Sequence, residues 1–250
     1  MHTPSKGFLR EIKLERERVV DWEAFPFSLP SVRTLGSLTL HPSLTLLVGE
    51  NGSGKSTLLE AIAVAAGFNA EGGSRNFNFS TRKSHSPLDG YLRLVRNPRR
   101  ERTGYFLRAE SFFNVATEIE RLDVGGGGSK LINFYGGKSL HEQSHGESFM
   151  ALVTNRFSRD GLYLLDEPEA ALSPRRQLAL VSVMHDLINQ GCQFLVATHS
   201  PFLLAYPDAL LYSFSPQGIQ RTSFRDTDHY QLSRNFLERP ETFYREFLSP

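Results

Sequence analysis

Three short stretches hold side chains whose types and spacing suit phosphate chemistry. The first is "GENGSGKST", Gly49 to Thr57. It fits G-x-x-x-x-G-K-[ST], with Gly49, Gly54, Lys55 and Ser56 at the fixed positions. Glycines let the loop Gly49, Glu50, Asn51, Gly52, Ser53, Gly54 curl so that successive backbone N–H groups face one phosphate. A helix starting here, through Thr57, adds the positive end of its dipole. Lys55 reaches the β- and γ-phosphates, and the Ser56 hydroxyl ligates Mg2+.

The second stretch, "GLYLLDEP", ends an apolar run on two acids. Asp166, at the tip of a buried strand, is the expected second Mg2+ partner, and a strand-end cap is its bland alternative. Glu167, the next residue, can take a proton from an attacking water as general base. The third, "CQFLVATHS", ends on His199. A histidine at the C-terminal edge of a parallel sheet can donate to a γ-phosphate and position the water.

These residues need strands and helices to hold them. "LTLLVG" reads as a strand running into the glycine loop, and "TLLEAIAVAAGF" as the buried helix after it, ending at Gly67. "GLYLLDEP" has the continuous apolar character of a central parallel strand. "SPRRQLALVSVMHDLINQG" is a helix with Ser173 as N-cap, Pro174 in its first turn and Gly191 beyond its end. "FLREIKLERERVV" reads as an edge strand and "WEAFPFSLPSV" as a Pro-punctuated loop. "GYLRLV" and "GYFLRA" read as a hairpin around "RNPRRERTG", "ESFFNVATEIERL" as helical, and "VGGGGSK" as a flexible loop. "ALLYSFS" and "GIQRTSF" form a second hairpin, and the tail from Asp226 is one or two exposed helices. Alternating strands and helices give an α/β fold.

These elements in this order resemble the ATP-binding-cassette (ABC) ATPase superfamily. "GENGSGKST" is similar to its Walker A, "LYLLDEPEAALSP" to its Walker B and D-loop, and "ATHSP" to its switch histidine. The family also carries a Leu-Ser-Gly-Gly-Gln signature, at the start of a helix ahead of Walker B, and "QSHGES" lies there. Ser144 matches the serine and Gly146 the second glycine; His145 replaces the first glycine, and Glu147 stands where Gln or Glu is found. Read from the residues, Ser144 and Glu147 also form a capping box. "FLRAESFFN" and "EQSHGES" make the chain similar to stand-alone ATPases related to SMC and DNA-repair ABC proteins, not to transporter subunits.

The resemblance implies a P-loop NTPase of the ABC nucleotide-binding type, with a mostly parallel core sheet, an antiparallel β part and a helical signature region. One domain is expected over 1–250, with a lobe at about 70–145 holding the Arg-rich hairpin and signature, and C-terminal helices over 226–250. It also implies ATP and Mg2+ as ligands, and catalysis by Lys55, Glu167 and His199. An ATP-dependent homodimer follows, with Walker A of one copy facing Ser144, His145, Gly146 and Glu147 of the other. The family's Q-loop glutamine is replaced by Glu110 or Ser111, and Glu110 is then a further metal candidate. Trp22, Phe25 and Phe27 are the candidates for adenine stacking, each with a core role as its alternative. The functions that fit are a switch in DNA maintenance or defence, a transporter's nucleotide-binding subunit, or a module that holds ATP without turnover.

Composition narrows this. A net charge of +1 does not suit a chain that coats nucleic acid, so such contact needs a local patch. Arg93, Arg96, Arg99, Arg100, Arg102 and Arg108 could supply one, with Phe77 and Phe79 stacking on bases. The alternative favoured on base rates is a solvated hairpin paired with Glu101 and Glu110. Arg75, Arg82 and Lys83 could instead meet ATP phosphates from the side. One cysteine, Cys192, excludes a disulfide framework and suits a reducing compartment. The start of the chain lacks a signal peptide's apolar core, and no run is long enough to span a membrane, so a cytoplasmic location is expected.

Overall fold

Apolar runs too uniform to alternate form the centre of the main sheet. In the computed structural model, which describes residues 7–75, 86–109 and 144–248, β6 (Gly161–Asp166) and β7 (Gln193–Ala197) are buried at every position. That is the pattern of parallel strands covered on both faces. They lie in a six-stranded sheet of order β5-β6-β7-β3-β8-β9, with β3 at Leu44–Gly49, β5 at Thr103–Arg108, β8 at Leu210–Ser215 and β9 at Gly218–Thr222. The pairs from β5 through β8 are parallel, and β9 returns antiparallel on β8 as the expected hairpin. Because β7 lies between β3 and β6, the strand tips carrying the three motifs are side by side.

Period-two alternation sends side chains to two cores. Leu46, Val48, Tyr163, Leu165 and Phe194 face α2 (His145–Arg156) and α3 (Pro174–Asn189) through Phe149, Leu152, Leu180 and Met184. Leu47, Leu164 and Leu195 face the other way, onto Leu58, Leu59 and Ile62 of α1 (Lys55–Ala65) and onto a small second sheet. Each such side chain contributes about 1.5–3 kcal/mol on burial. Both layers clamp the strands that carry the site.

The second sheet is antiparallel, of order β2-β1-β4, with β1 at Leu9–Leu14, β2 at Ser37–Thr39 and β4 at Leu92–Arg96. β1 is therefore its middle strand and not an edge. Glu11 and Lys13 alternate with the buried Ile12 and Leu14; alternation reports the two faces of a strand, not its neighbours. The Arg-rich hairpin is also absent. β4 pairs with β1, whereas β5 pairs with β6, so "RNPRRERTG" crosses between the two sheets. Gln193 locks the sheets together: Oε1 accepts from Phe8 and Leu9 N–H at 2.8 and 2.9 Å, and Nε2 donates to the Leu9 and His41 carbonyls at 2.7 and 2.9 Å.

Arg96, Arg99 and Arg102 of the crossing segment are partnered with acids. Glu101 receives Arg75 and, at 2.9 Å, Arg96; Asp160 receives Arg99 and, at 3.6 Å, Arg102. Arg75 stacks on Phe68, 5.0 Å from its ring centre. The tail forms two helices, α4 (Asp228–Glu238) and α5 (Pro240–Phe247), packed through Phe236 edge-on to Phe243 and Tyr244. Leu232, Leu237, Tyr244 and Leu248 stay exposed. The expectations for Phe77, Phe79, Arg82, Lys83, Glu110, Ser111, the "ESFFNVATEIERL" helix and the glycine run lie outside the described residues.

Candidate nucleotide site

The loop after β3 has the backbone that its sequence calls for. Gly54 closes it at φ 95°, caps α1, and leaves no room for a side chain, since a Cβ would strike the Ser31 hydroxyl. Lys55 is buried at 3% exposure, and its Nζ donates to the carbonyls of Gly49 at 2.8 Å and Glu50 at 2.9 Å. The ammonium is thus held by the curl of its own loop. Burial lowers its pKa, opposed by the charges of Glu167, Asp166 and Glu169.

Ser56 Oγ donates to Asp166 Oδ1 at 2.9 Å, joining the start of α1 to the tip of β6. A hydroxyl and a carboxylate converge here, and hard oxygen donors are what Mg2+ selects, so the residues present fit that ion. Arg108, at the end of β5, pairs with Glu60 and lies 3.6 Å from Asp166 Oδ2. It belongs to this corner, not to a surface patch.

Glu167 has a left-handed backbone, φ 49°, and its N–H donates to the Ala197 carbonyl at 2.9 Å. A non-glycine residue in that conformation costs about 1–3 kcal/mol, and such residues gather at functional sites. Its carboxylate lies 3.4 Å from His199 Nε2. On its other side the His199 ring meets a residue from α4: Nδ1 is 2.9 Å from His229 Nε2. The His199 backbone N–H donates to Glu169, whose carboxyl burial pushes above the usual range. Desolvation holds both histidines below their ordinary pKa; Lys55 adds to this for His199, and His199 and Lys55 add to it for His229. Burial therefore favours the neutral form of both rings.

A cavity of about 400 Å3 opens between the loop residues Asn51 and Gly52, the stretch Gly54 to Thr57, Glu167 and Phe25. Phe25 is 62% exposed, whereas Phe27 is buried against Tyr91 at 4.8 Å, and Trp22 packs on Phe27 with Arg16 over its face. Of the three aromatics, the structure brings Phe25 to the loop. A larger cavity of about 970 Å3 lies on the other side, walled by Glu50 to Ser53, His199, the β8–β9 turn and the start of α4.

The signature residues stand apart from both cavities. Ser144 caps α2 in a capping box with Glu147, whose carboxylate accepts from the Ser144 N–H at 3.1 Å; the Ser144 hydroxyl also donates to that carboxylate at 2.7 Å. Arg176 of α3 reaches Glu147 at 3.1 Å and Ser144 Oγ at 3.3 Å. Gly146 is needed for close approach, because a Cβ would sit 2.8 Å from the Ala171 carbonyl. Ser144, His145 and Glu147 are exposed, and neither cavity is lined by residues 144–147.

Residues 31–133 match the family model of an AAA domain, and residues 133–205 match a second AAA domain model, whose description also names the AbiEii toxin of a Type IV TA system. Both matched stretches are similar to AAA domains, and the fold is the one shared by the ATP-binding cassettes described next. Its fold is similar to a chain described as an inward-facing metal-chelate type ABC transporter, at 16% identity over 91% of this chain and 88% of that one, TM-score 0.53. It is also similar to an ATP-binding cassette of an ABC transporter in its ADP conformation, at 18% identity over 94% and 96%, TM-score 0.50. An SMC head domain from Thermotoga maritima matches at 15% identity over 86% and 98%, TM-score 0.46. No curated protein sequence matches the chain. No helix among the described residues is long and apolar enough to cross a membrane.

Arg108, Glu169, Arg176 and His229 receive no role from the motifs, although Glu169 lies inside one of the quoted stretches. Arg108 sits in a run of arginines that composition cannot rank. Glu169 and Arg176 are ordinary acid and base in the helix-rich stretch after Walker B. His229 is thirty positions from the ring it meets, so only the fold joins them.

Proposed function

We propose that this chain binds Mg-ATP in the cavity at the phosphate loop and hydrolyses it, dimerising on ATP to act as a switch. The observation that carries the reading is the Ser56–Asp166 hydrogen bond beside a Glu167 that shares a cavity with Lys55. Ser56 and Asp166 would hold Mg2+, which neutralises charge on the β- and γ-phosphate oxygens when bound. The loop N–H groups and Lys55 bind the phosphates and stabilise the charge that builds on them. Glu167 takes a proton from water as its oxygen attacks the γ-phosphorus in line; the bond to the β-phosphate oxygen breaks, giving ADP and phosphate. His199 donates to the γ-phosphate and registers its presence.

One domain over 1–250, the stand-alone subgroup and a role in DNA maintenance or defence belong to the same reading, and the AbiEii name on the 133–205 match supports defence. The test is phosphate release by wild type and Glu167→Gln, with nucleotide binding measured in parallel. The expected result is turnover by wild type, and in the variant a kcat lower by about 100-fold or more with binding kept. Binding without turnover by wild type would leave an ATP-holding module instead.

A further inference from the structure

The second histidine at the site lies outside all three motifs. His229 is in the first turn of α4, a turn fixed by Thr227, whose hydroxyl accepts from the Tyr230 N–H at 3.3 Å. Its side chain lines the larger cavity together with the phosphate-loop residues Glu50 to Ser53. Its Nε2 is 2.9 Å from His199 Nδ1.

The two contacts of the His199 ring fix where its proton sits. Nε2 faces the Glu167 carboxylate at 3.4 Å. A carboxylate offers only lone pairs, so this loose contact favours hydrogen on the nitrogen that faces it, without being short enough to hold it there alone. A neutral imidazole has one N–H, which leaves Nδ1 bare and in need of a donor. The hydrogen bond therefore runs from His229 Nε2–H to His199 Nδ1. His199 Nε2 is buried, and at 3.4 Å the Glu167 carboxylate meets it too loosely to saturate its N–H. Lys55, Glu167, Glu169 and Asp228 are the charged groups around the pair.

We propose that His229 is a positioning residue that locks His199 in the Nε2–H tautomer, aiming this donor past Glu167 at the γ-phosphate, so that α4 is a working part of the ATP site. The proposal rests on the ATPase reading for its catalytic consequence, but the tautomer exists without nucleotide. It is tested on the full chain labelled with 15N-histidine, by two-bond 1H–15N spectra at pH 8, where both rings are neutral. Wild type should show His199 as Nε2–H. His229→Ala should give a mixture of tautomers, and His229→Gln, whose amide can still donate, should restore the single form. In turnover, His229→Ala should lower kcat about tenfold, the lower end of what losing an orienting partner costs a metal-bound histidine, with KM for ATP unchanged. His229→Gln should recover most of that loss. An unchanged His199 tautomer in His229→Ala would overturn the proposal, as would equal kcat losses in both variants. Absence of wild-type turnover would sink the ATPase reading separately, and the spectra would still decide the tautomer.

Discussion

At the residue scale the site divides by how local its logic is. The loop from Gly49 to Thr57 was legible because all its parts are consecutive, and strand and helix flank it as required. Asp166, Glu167 and His199 were legible because each ends an apolar run. Phe25 could not be told from Trp22 and Phe27 in the sequence, since the three share one loop and one chemistry. Exposure separates them, and it carries a prediction. A base stacked on an aromatic ring contributes about 1–3 kcal/mol, and 1.4 kcal/mol is tenfold in affinity. Phe25→Ala should therefore weaken ATP binding by roughly tenfold, and Phe25→Tyr should leave it near wild type. Titration with a fluorescent ATP analogue measures both. Equal affinity for wild type and Phe25→Ala would place the base elsewhere.

At the element scale, hydropathy gave the strands and chain order gave the parallel core, but neither told which sheet a strand joins. β4 and β5 flank a turn-like stretch as a hairpin would, yet the Arg-rich crossing delivers them to different sheets. What holds the crossing in place is Glu101, 2% exposed in its side chain, between Arg75 and Arg96. Burial would raise its pKa; hydrogen bonds from Arg75, its own backbone and Arg96, together with the Arg75 charge, outweigh that and hold it below the usual carboxylate range. A depressed folded pKa contributes stability that is present above the unfolded value, about 4.3 for Glu, and is lost as pH falls through the folded value. Glu101→Gln should thus cost roughly 2 kcal/mol at pH 7. Its deficit should hold down to about pH 5 and shrink below about pH 4. Thermal melts of both proteins from pH 7 to pH 3 show this directly. A deficit that does not change with pH would mean that the carboxylate charge is not what stabilises the crossing.

For the whole molecule, the question is what completes the site. Lys55, Ser56, Glu167 and Phe25 line one cavity, and His199 and His229 the next, but Ser144 to Glu147 line neither. Those four residues nonetheless form a finished helix start, capped and braced by Arg176, with Ser144, His145 and Glu147 exposed. The N-terminus of a helix attracts anions through its free N–H groups and dipole. In one copy that end has no phosphate to meet, and a second copy turned face to face would bring it to the nucleotide on the first. Blocking hydrolysis should trap that state, so Glu167→Gln should double in mass on adding Mg-ATP and return to a monomer without it. Adding Ser144→Arg fills the contact with a long side chain and removes the cap's hydroxyl, so the double variant should bind ATP yet stay monomeric. Light scattering after size exclusion reads both. A double variant that still dimerises would move the interface away from Ser144, and a Glu167→Gln protein that stays monomeric with ATP would end the two-copy reading.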